Sequence, residues 1–496
     1  MDVAYILAPV LLIAVVLAAV LLERLSVPVI LVALGAGIAF GSDVLNLWPF
    51  DNVLLTNQVA NMALVFILFH GGFVTKRSDF RAVALPAGGL ATWGVLLTAA
   101  ITYACLRWGL GWSFEKSVLL SVIISSTDAA AIFSILRRQS LPPRLSSTVE
   151  IESAANDPMA ILLTVVAVTA FASGEADGAA MVVEFFWKFT AGPIVGFLLA
   201  KSSLWTFNRL RPQDRGYYYV LFLGVVLLTY GIAEAANASG MLAVFTAGFV
   251  MGNRPFVHKQ GVLNFSEAIS AIANIGMFVL MGLLVFPRDW SGLWVQGTLL
   301  FLVLTFVARP LAVFLGTMGM RFGTKNKLFA SWAGLRGAVP IVLATYPSAA
   351  GLALGEEVFN LVFFAVLLSI LIQGSTMGTL AKWMGLSEPS RPKPLFNLDL
   401  ITMAHSDYDL FAVDLPDPRG APGPRIRDLN LPEGSVITLV TRGTEVVIPK
   451  GNTRLQGWDQ VTVLAHAPDE DRVRAALLEP FTAKEADAAE ALPSTT

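Results

Sequence analysis

The strongest constraint on this chain is a succession of apolar stretches, most of them close to 20 residues long, running from Val3 to about Trp383 with only short polar or Pro/Gly-marked breaks. A hydrocarbon core ~30 Å thick needs about 20 apolar residues per helical crossing. Inside it a backbone can satisfy its polar groups only as a helix or a closed barrel. Thirteen such stretches can be counted, and the ninth, residues 239–252, is the shortest. Charged residues make up 14% of the 496-residue chain, against about one quarter in ordinary soluble domains. The pattern predicts an α-helical polytopic membrane protein with thirteen transmembrane helices.

The first stretch follows Met1-Asp2 without a basic leader or a small-residue cleavage site, so it reads as a retained helix. An odd number of crossings puts the chain ends on opposite faces. One set of connections carries fifteen Lys and Arg residues, among them Lys76, Arg77, Arg81, Arg137 and Arg138, whereas the other carries only Arg107, Lys116 and Arg288. By the positive-inside rule the N-terminus is expected outside and the C-terminus in the cytoplasm, and the expected location is the plasma (inner) membrane.

Composition changes after Pro389. Residues 1–386 form the transmembrane domain, 387–395 a linker containing "PSRPKP", and 396–480 a small cytosolic α+β domain. In the last, "SVITLV", "EVVIPKG" and "DQVTVLAH" alternate as strands do, and "EDRVRAALLE" is amphipathic. Residues 481–496 are polar and Ala-rich, and are expected to be a disordered tail. From residue 396 onward there are 9 basic and 16 acidic residues, which argues against nucleic acid as a partner. Cys105 is the only cysteine, so an internal disulfide and a thiolate metal cluster are both excluded.

An ionisable group inside a bilayer is costly and marks function by default. At ~1.5 Å per residue, Asp128 in the fifth stretch (114–136) lies about 21 Å from its outer start, and Asp157 in the sixth (147–172) about 15 Å from its cytoplasmic start. Arg336 in "WAGLRGAVP" lies about 14 Å into the twelfth (327–349) and needs an internal anion. Arg309, close to a cytoplasmic end, is expected to snorkel to the headgroups. Backbone opens at the same places. "ISSTDAAAIF" places Ser125, Ser126, Thr127 and Asp128 mid-span, where their side chains compete for main-chain bonds. Gly334, Gly337 and Pro340 weaken the twelfth stretch.

Two interrupted helices seven spans apart fit an inverted repeat, the architecture of many secondary transporters. The alternative is that the small residues simply allow close helix packing. Ser153 and Asp157 are four apart and share one helix face, and Glu152 and Asn156 share the adjacent one. The first face offers a hydroxyl and a carboxylate to a hard monovalent cation. The second offers Glu152 as counter-ion to Arg336. Burial favours the neutral, protonated form of Asp157, so cation and proton would compete for one group. With Asn rather than a second Asp at position 156, that competition moves one charge each way and is electroneutral.

"STDAAAIFS", "EIESAANDPMA", "GNRP" and "GLRGAVPI" resemble the NhaP-type branch of monovalent cation/proton antiporters, over about residues 3–384. The resemblance implies a thirteen-helix inverted-repeat fold with two interrupted helices, and a homodimer. It also implies that Thr127, Asp128, Ser153 and Asp157 bind the cation, with Asp157 carrying the exchanged proton. Asn156 would tie the sixth helix to the opened fifth, and Glu152 with Arg336 would form a structural ion pair. "PKGNTRLQGWDQVTVLA" is similar to the TrkA-C (RCK-C) type of regulatory domain, with Trp458 inserted where Gly-Asp is usual. That tail points to K+ first and Na+ second as the ion exchanged for H+, and to a small-molecule ligand as a partner class for the domain. No cofactor is implied, and the remaining partners are membrane lipids.

A potassium channel-like conductance with a regulatory tail is the main rival, but no TVGYG-like filter occurs. Neither GxxxxGK nor GxGxxG is present, which removes ATP drive and a dinucleotide-gated exporter. An intramembrane hydrolase lacks its GxGD or GxSG motif. One position departs from the resemblance: "ILFHGGF" has His70 where the family carries an acid that helps hold the ion. Histidine titrates near neutrality, although a packing histidine bonded to a carbonyl would look the same in sequence. His70→Asp is expected to displace the pH dependence of exchange, measured as pH-gradient dissipation in vesicles; an unchanged profile refutes a role for His70 in it.

Overall fold

In the computed structural model, residues 2–22, 29–77, 88–127, 141–174, 178–210, 212, 214–320, 322–386, 408–416, 423–443 and 445–490 are described. The chain divides into two compact units, Met1–Thr206 with Asp214–Pro255 and Val262–Glu388, and Phe207–Gln213 with Phe256–Gly261 and Pro389–Thr496.

The membrane part is helical. Its elements are α1 (Asp2–Leu22), α2 (Val29–Phe40), α3 (Val53–Val74), α4 (Leu90–Gly109), α5 (Phe114–Ile123), α6 (Pro143–Ser173) and α7 (Gly178–Arg209). They continue with α8 (Gly216–Ala235), α9 (Gly240–Gly252), α10 (Lys259–Leu283), α11 (Trp290–Gly316), α12 (Thr324–Ala333), α13 (Ala338–Ala349) and α14 (Gly355–Trp383). Among the described residues eight helices are long and apolar enough to cross a membrane, or nine if α12 and α13, which meet at 48°, form one broken span.

Local chemistry sets several ends. The Asn52 side chain accepts from the Leu55 N–H at 2.9 Å and starts α3, and Ser239 accepts from Leu242 at 3.3 Å and starts α9. Gly174, at φ +69°, ends α6. Pro158 lies within α6 without ending it. Three of the long helices widen into π turns, at Leu90–Gly94 and Cys105–Gly109 in α4, Val303–Ala308 in α11 and Ser369–Gly374 in α14.

Glycine lets the short α9 lie close against α3. A Cβ on Gly72 would meet the Phe245 carbonyl, one on Gly248 the Phe69 carbonyl and one on Gly252 the Phe73 carbonyl. Helices α3 and α9 therefore touch backbone to backbone, the contact that small residues permit in membranes. Asn253 fastens the end of this crossing, donating to the Thr75 carbonyl at 2.8 Å while its oxygen accepts from the Arg77 N–H at 2.7 Å.

The C-terminal unit holds an antiparallel sheet of β1 (Tyr408–Asp414), β2 (Val436–Arg442), β3 (Glu445–Val447) and β4 (Gln460–His466), in the order β1-β4-β2-β3. Val413, Val440, Val461 and Val463 from the sheet, with Val473, Leu477 and Phe481 from helix α15 (Glu470–Glu490), fill its core. The helix continues past Pro480, where the sequence pattern predicts the start of a disordered tail, because Phe481 beyond the proline is itself a core residue. Buried Asp459 is gripped by Arg442, whose Nε and Nη2 donate to its two oxygens at 2.8 Å each. This fork raises the pKa of the Arg442 guanidinium. Trp458 beside it adopts φ +68°, a left-handed conformation that suits glycine.

Gly248→Ala is expected to cost ~1–3 kcal/mol through overpacking at the α3/α9 crossing, read as a lower melting temperature of the purified protein. Gly71→Ala is the control and should melt close to wild type, since a Cβ there meets nothing within 4 Å.

Candidate cation-binding site

Three elements converge around the middle of the membrane part: the open end of α5, the first half of α6, and the corner between α12 and α13. Helix α5 stops at Ile123, and Ser125, Ser126 and Thr127 run on without helical structure. Their hydroxyls can bond their own chain, as Ser125 Oγ does to the Val122 carbonyl at 2.7 Å. Asp128, the next residue, lies outside the described residues.

Thr127 is the hub. Its Oγ1 lies 2.8 Å from Ser153 Oγ and accepts from Asn156 Nδ2 at 2.7 Å, while its N–H donates to Asn156 Oδ1 at 3.2 Å. Asn156 thus closes a two-point clasp on one residue, occupying a backbone donor that has no water to turn to. Ser153 and Asn156 come from adjacent faces of α6, and the Thr127 side chain bridges them. Asp157 follows one turn after Ser153 and is 6% exposed. One carboxylate and a pair of hydroxyls therefore lie within a turn of each other, a donor set for a hard monovalent ion.

Arg336 takes up the rest of the opened backbone. Its Nη1 donates to the Ser125 carbonyl at 2.9 Å and also to the Ser126 carbonyl. The ion pair that spacing predicts between Glu152 and Arg336 is made instead by Arg309, whose Nη1 lies 2.6 Å from Glu152 Oε1. The pair is buried, with side-chain exposures of 3% for Arg309 and 0% for Glu152. Arg309 does not snorkel. It turns inward over Gly334, where a Cβ would collide with its Nε, and its Nη2 donates to the Ala330 carbonyl at 3.3 Å. A glycine of "GLRGAVP" thus makes room for an arginine that spacing assigns to the headgroups. The signal for it was weak in sequence: an arginine before a proline near a helix end.

His70 contacts the neighbouring helix α10. It sits on α3 with Nδ1 3.3 Å from Ser266 Oγ of α10.

Residues 10–383 match the model of the sodium/hydrogen exchanger, transmembrane, family. The chain belongs to the sodium/hydrogen exchanger family. Residues 410–478 match the TrkA-C domain. Among relatives, the chain is 35% identical over 445 residues to the K(+)/H(+) antiporter NhaP2 of Shewanella oneidensis, covering 89% of this chain and 77% of that one. It is 31% identical over 457 residues to the K(+)/H(+) antiporter NhaP of Alkalimonas amylolytica, covering 92% of this chain and 79% of that one. The sodium proton antiporter MjNhaP1 of Methanocaldococcus jannaschii shares the fold, with a TM-score of 0.67 at 24% identity over 77% of this chain and 99% of that one. In this exchanger-family chain the opened α5 and the corner between α12 and α13 meet at Ser125, Ser126 and Arg336.

Removing one partner of a buried ion pair strands the other charge. Arg309→Met is expected to destabilise the protein by ~3–5 kcal/mol, and adding Glu152→Gln to that variant should recover most of the loss; melting of the purified proteins checks both.

Proposed function

We propose that the protein is a secondary antiporter that exchanges a monovalent cation, K+ first and Na+ second, for H+ by alternating access and without net charge movement. The observation that carries this reading is the buried carboxylate of Asp157, one turn after Ser153, whose hydroxyl lies 2.8 Å from that of Thr127 at the open end of a helix. In the ion-loaded form, Asp157 as carboxylate and the oxygens of Ser153 and Thr127 surround the cation, with Asp128 beside them in sequence. In the other form Asp157 carries a proton and the cation is gone. Both forms have the same net charge. Asn156 and Arg336 are structural in this scheme: they hold the unwound α5 so that the oxygens stay in place.

K+ is placed first because relatives at 35% and 31% identity are named K(+)/H(+) antiporters and because a TrkA-C domain follows the membrane part. That domain, a compact sheet and helix, is assigned the role of cytosolic regulator, with a small molecule as its ligand class. Thirteen crossings are supported by the eight long helices, the bent pair, the three shorter apolar helices and the α5 segment. An inverted repeat is supported by likeness of order: α4, α5 and α6 give a π-turned helix, an interrupted one and a long one, as do α11, the broken α12/α13 and α14. The same reading places a homodimer in the inner membrane, with its N-terminus outside and its C-terminus in the cytoplasm.

In proteoliposomes with an imposed pH gradient and an internal pH dye, K+ should collapse the gradient at a rate that valinomycin does not raise, and Asp157→Asn should fall to the rate of empty vesicles. Exchange at normal speed in Asp157→Asn would overturn the reading, and a rate governed by membrane potential would favour a conductance instead.

A further inference from the structure

A continuous helix through residues 332–340 would place the Arg336 N–H on the Trp332 carbonyl, the ordinary bond between a residue and the one four before it. The corner at Gly334–Gly337 severs that bond. In a membrane interior neither freed group can turn to water, so each needs a partner from the protein.

Two side chains of α14 supply both. The Arg336 N–H donates to Ser369 Oγ at 3.1 Å, the Ser369 hydroxyl donates to Gln373 Oε1 at 2.6 Å, and Gln373 Nε2 donates to the Trp332 carbonyl at 3.1 Å. The lost peptide bond is thus remade through an inserted pair of side chains. Polarity matches at each step, and only one orientation of the Gln373 amide allows it. Ser369 and Gln373 are each 1% exposed. They lie four apart within Ser369–Gly374, where α14 widens into its π turn, a local irregularity that often accompanies function. Neither is bonded to Thr127, Ser153, Asn156 or Glu152 in the contacts given above.

We propose that Ser369 and Gln373 are positioning residues of the exchange site, splicing the broken α12/α13 helix so that Arg336 is delivered onto the Ser125 and Ser126 carbonyls. The connection is short. Ser369 pins the Arg336 main chain, and the side chain of the same residue holds the Ser126 carbonyl. The Ser126 carbonyl carbon is bonded to the Thr127 nitrogen, whose N–H is held by Asn156. Loosening the splice therefore moves the residue whose hydroxyl faces Ser153. The functional half of this inference rests on the antiport reading; the structural half does not.

The test uses the full chain in proteoliposomes and in detergent. Ser369→Ala and Gln373→Met are each expected to raise the apparent KM for K+ about tenfold, the effect of ~1.4 kcal/mol. Ser369→Thr, which keeps the hydroxyl, should stay within about twofold of wild type, as expected if the hydrogen bond and not the packing matters. Because either single change breaks the same splice, the double variant should lose no more than the worse single one. Amide hydrogen exchange over residues 332–338 should quicken in Ser369→Ala and not in Ser369→Thr. Unchanged KM in both single variants of an active protein, an additive double variant, or equal losses in Ser369→Thr and Ser369→Ala would each overturn the proposal. If wild type itself fails to exchange K+ for H+, the antiport reading falls, and the hydrogen-exchange comparison alone decides whether the splice exists.

Discussion

The hydrocarbon core gives a backbone N–H or carbonyl no water to turn to, and the departures from regular helix around the site are met by side chains that stand in for it. At the end of α5 the carbonyls of Ser125 and Ser126 go to Arg336, and the N–H of Thr127 goes to Asn156. At the corner between α12 and α13 the severed groups go to Ser369 and Gln373. An unpaired polar group in such a medium costs several kcal/mol, so these substitutes are conditions for the openings to exist. They also make the openings definite in shape. A helix end held by a two-point clasp and a charged fork is a fixed corner, and fixed corners are what allow a small ion to be met by oxygens at set distances.

The charges around the corner follow the same economy. Glu152 and Arg309 neutralise each other out of contact with water, and the charge of Arg336 is spread over two carbonyl dipoles. Under the proposed function Asp157 takes up the exchanged ions. A carboxylate with a monovalent cation and a protonated carboxyl group have equal charge, so swapping one for the other leaves the field at Arg336, Arg309 and Glu152 nearly as it was.

Charged and amide side chains inside apolar runs stand out by composition, which is why Glu152, Asn156, Asp157 and Arg336 could be singled out without coordinates. Their partners were less so. Depth counting treats a helix as straight and evenly wound, and by that count Arg309 belongs at the headgroups. The π turn at Val303–Ala308 just before it and the missing side chain at Gly334 let it reach inward, and neither shows in the spacing of apolar residues. Ser369 and Gln373 look like ordinary small and polar residues of a long helix until the break opposite them is seen. In the C-terminal unit, "SVITLV" and "DQVTVLAH" announced β2 and β4, whereas β1, an edge strand written "YDLFAVD" with mixed burial, carries no clean alternation.

The kinds of contact differ between helices in a way that bears on movement. Charge fastens α6 to α11 through Glu152 and Arg309, and α5 to α14 through Lys116 and Glu357 at 2.6 Å, with Gln296 of α11 accepting from the same ammonium at 2.7 Å. Parting the buried Glu152–Arg309 pair would strand a charge at a cost of several kcal/mol. Helix α3 is joined to α13 by neutral bonds only in the contacts seen here, from Asn57 Nδ2 to Thr345 Oγ1 at 2.8 Å and from the Tyr346 hydroxyl to Asn61, and to α10 by the His70–Ser266 contact. Neutral hydrogen bonds contribute ~1 kcal/mol each on balance, and a sliding seam can trade one for another. Under the proposed function, the two helices that carry Thr127 and Asp157 are thus each tied by charge to a neighbour, α5 to α14 and α6 to α11, whereas the bonds from α3 to α13 and α10 are neutral.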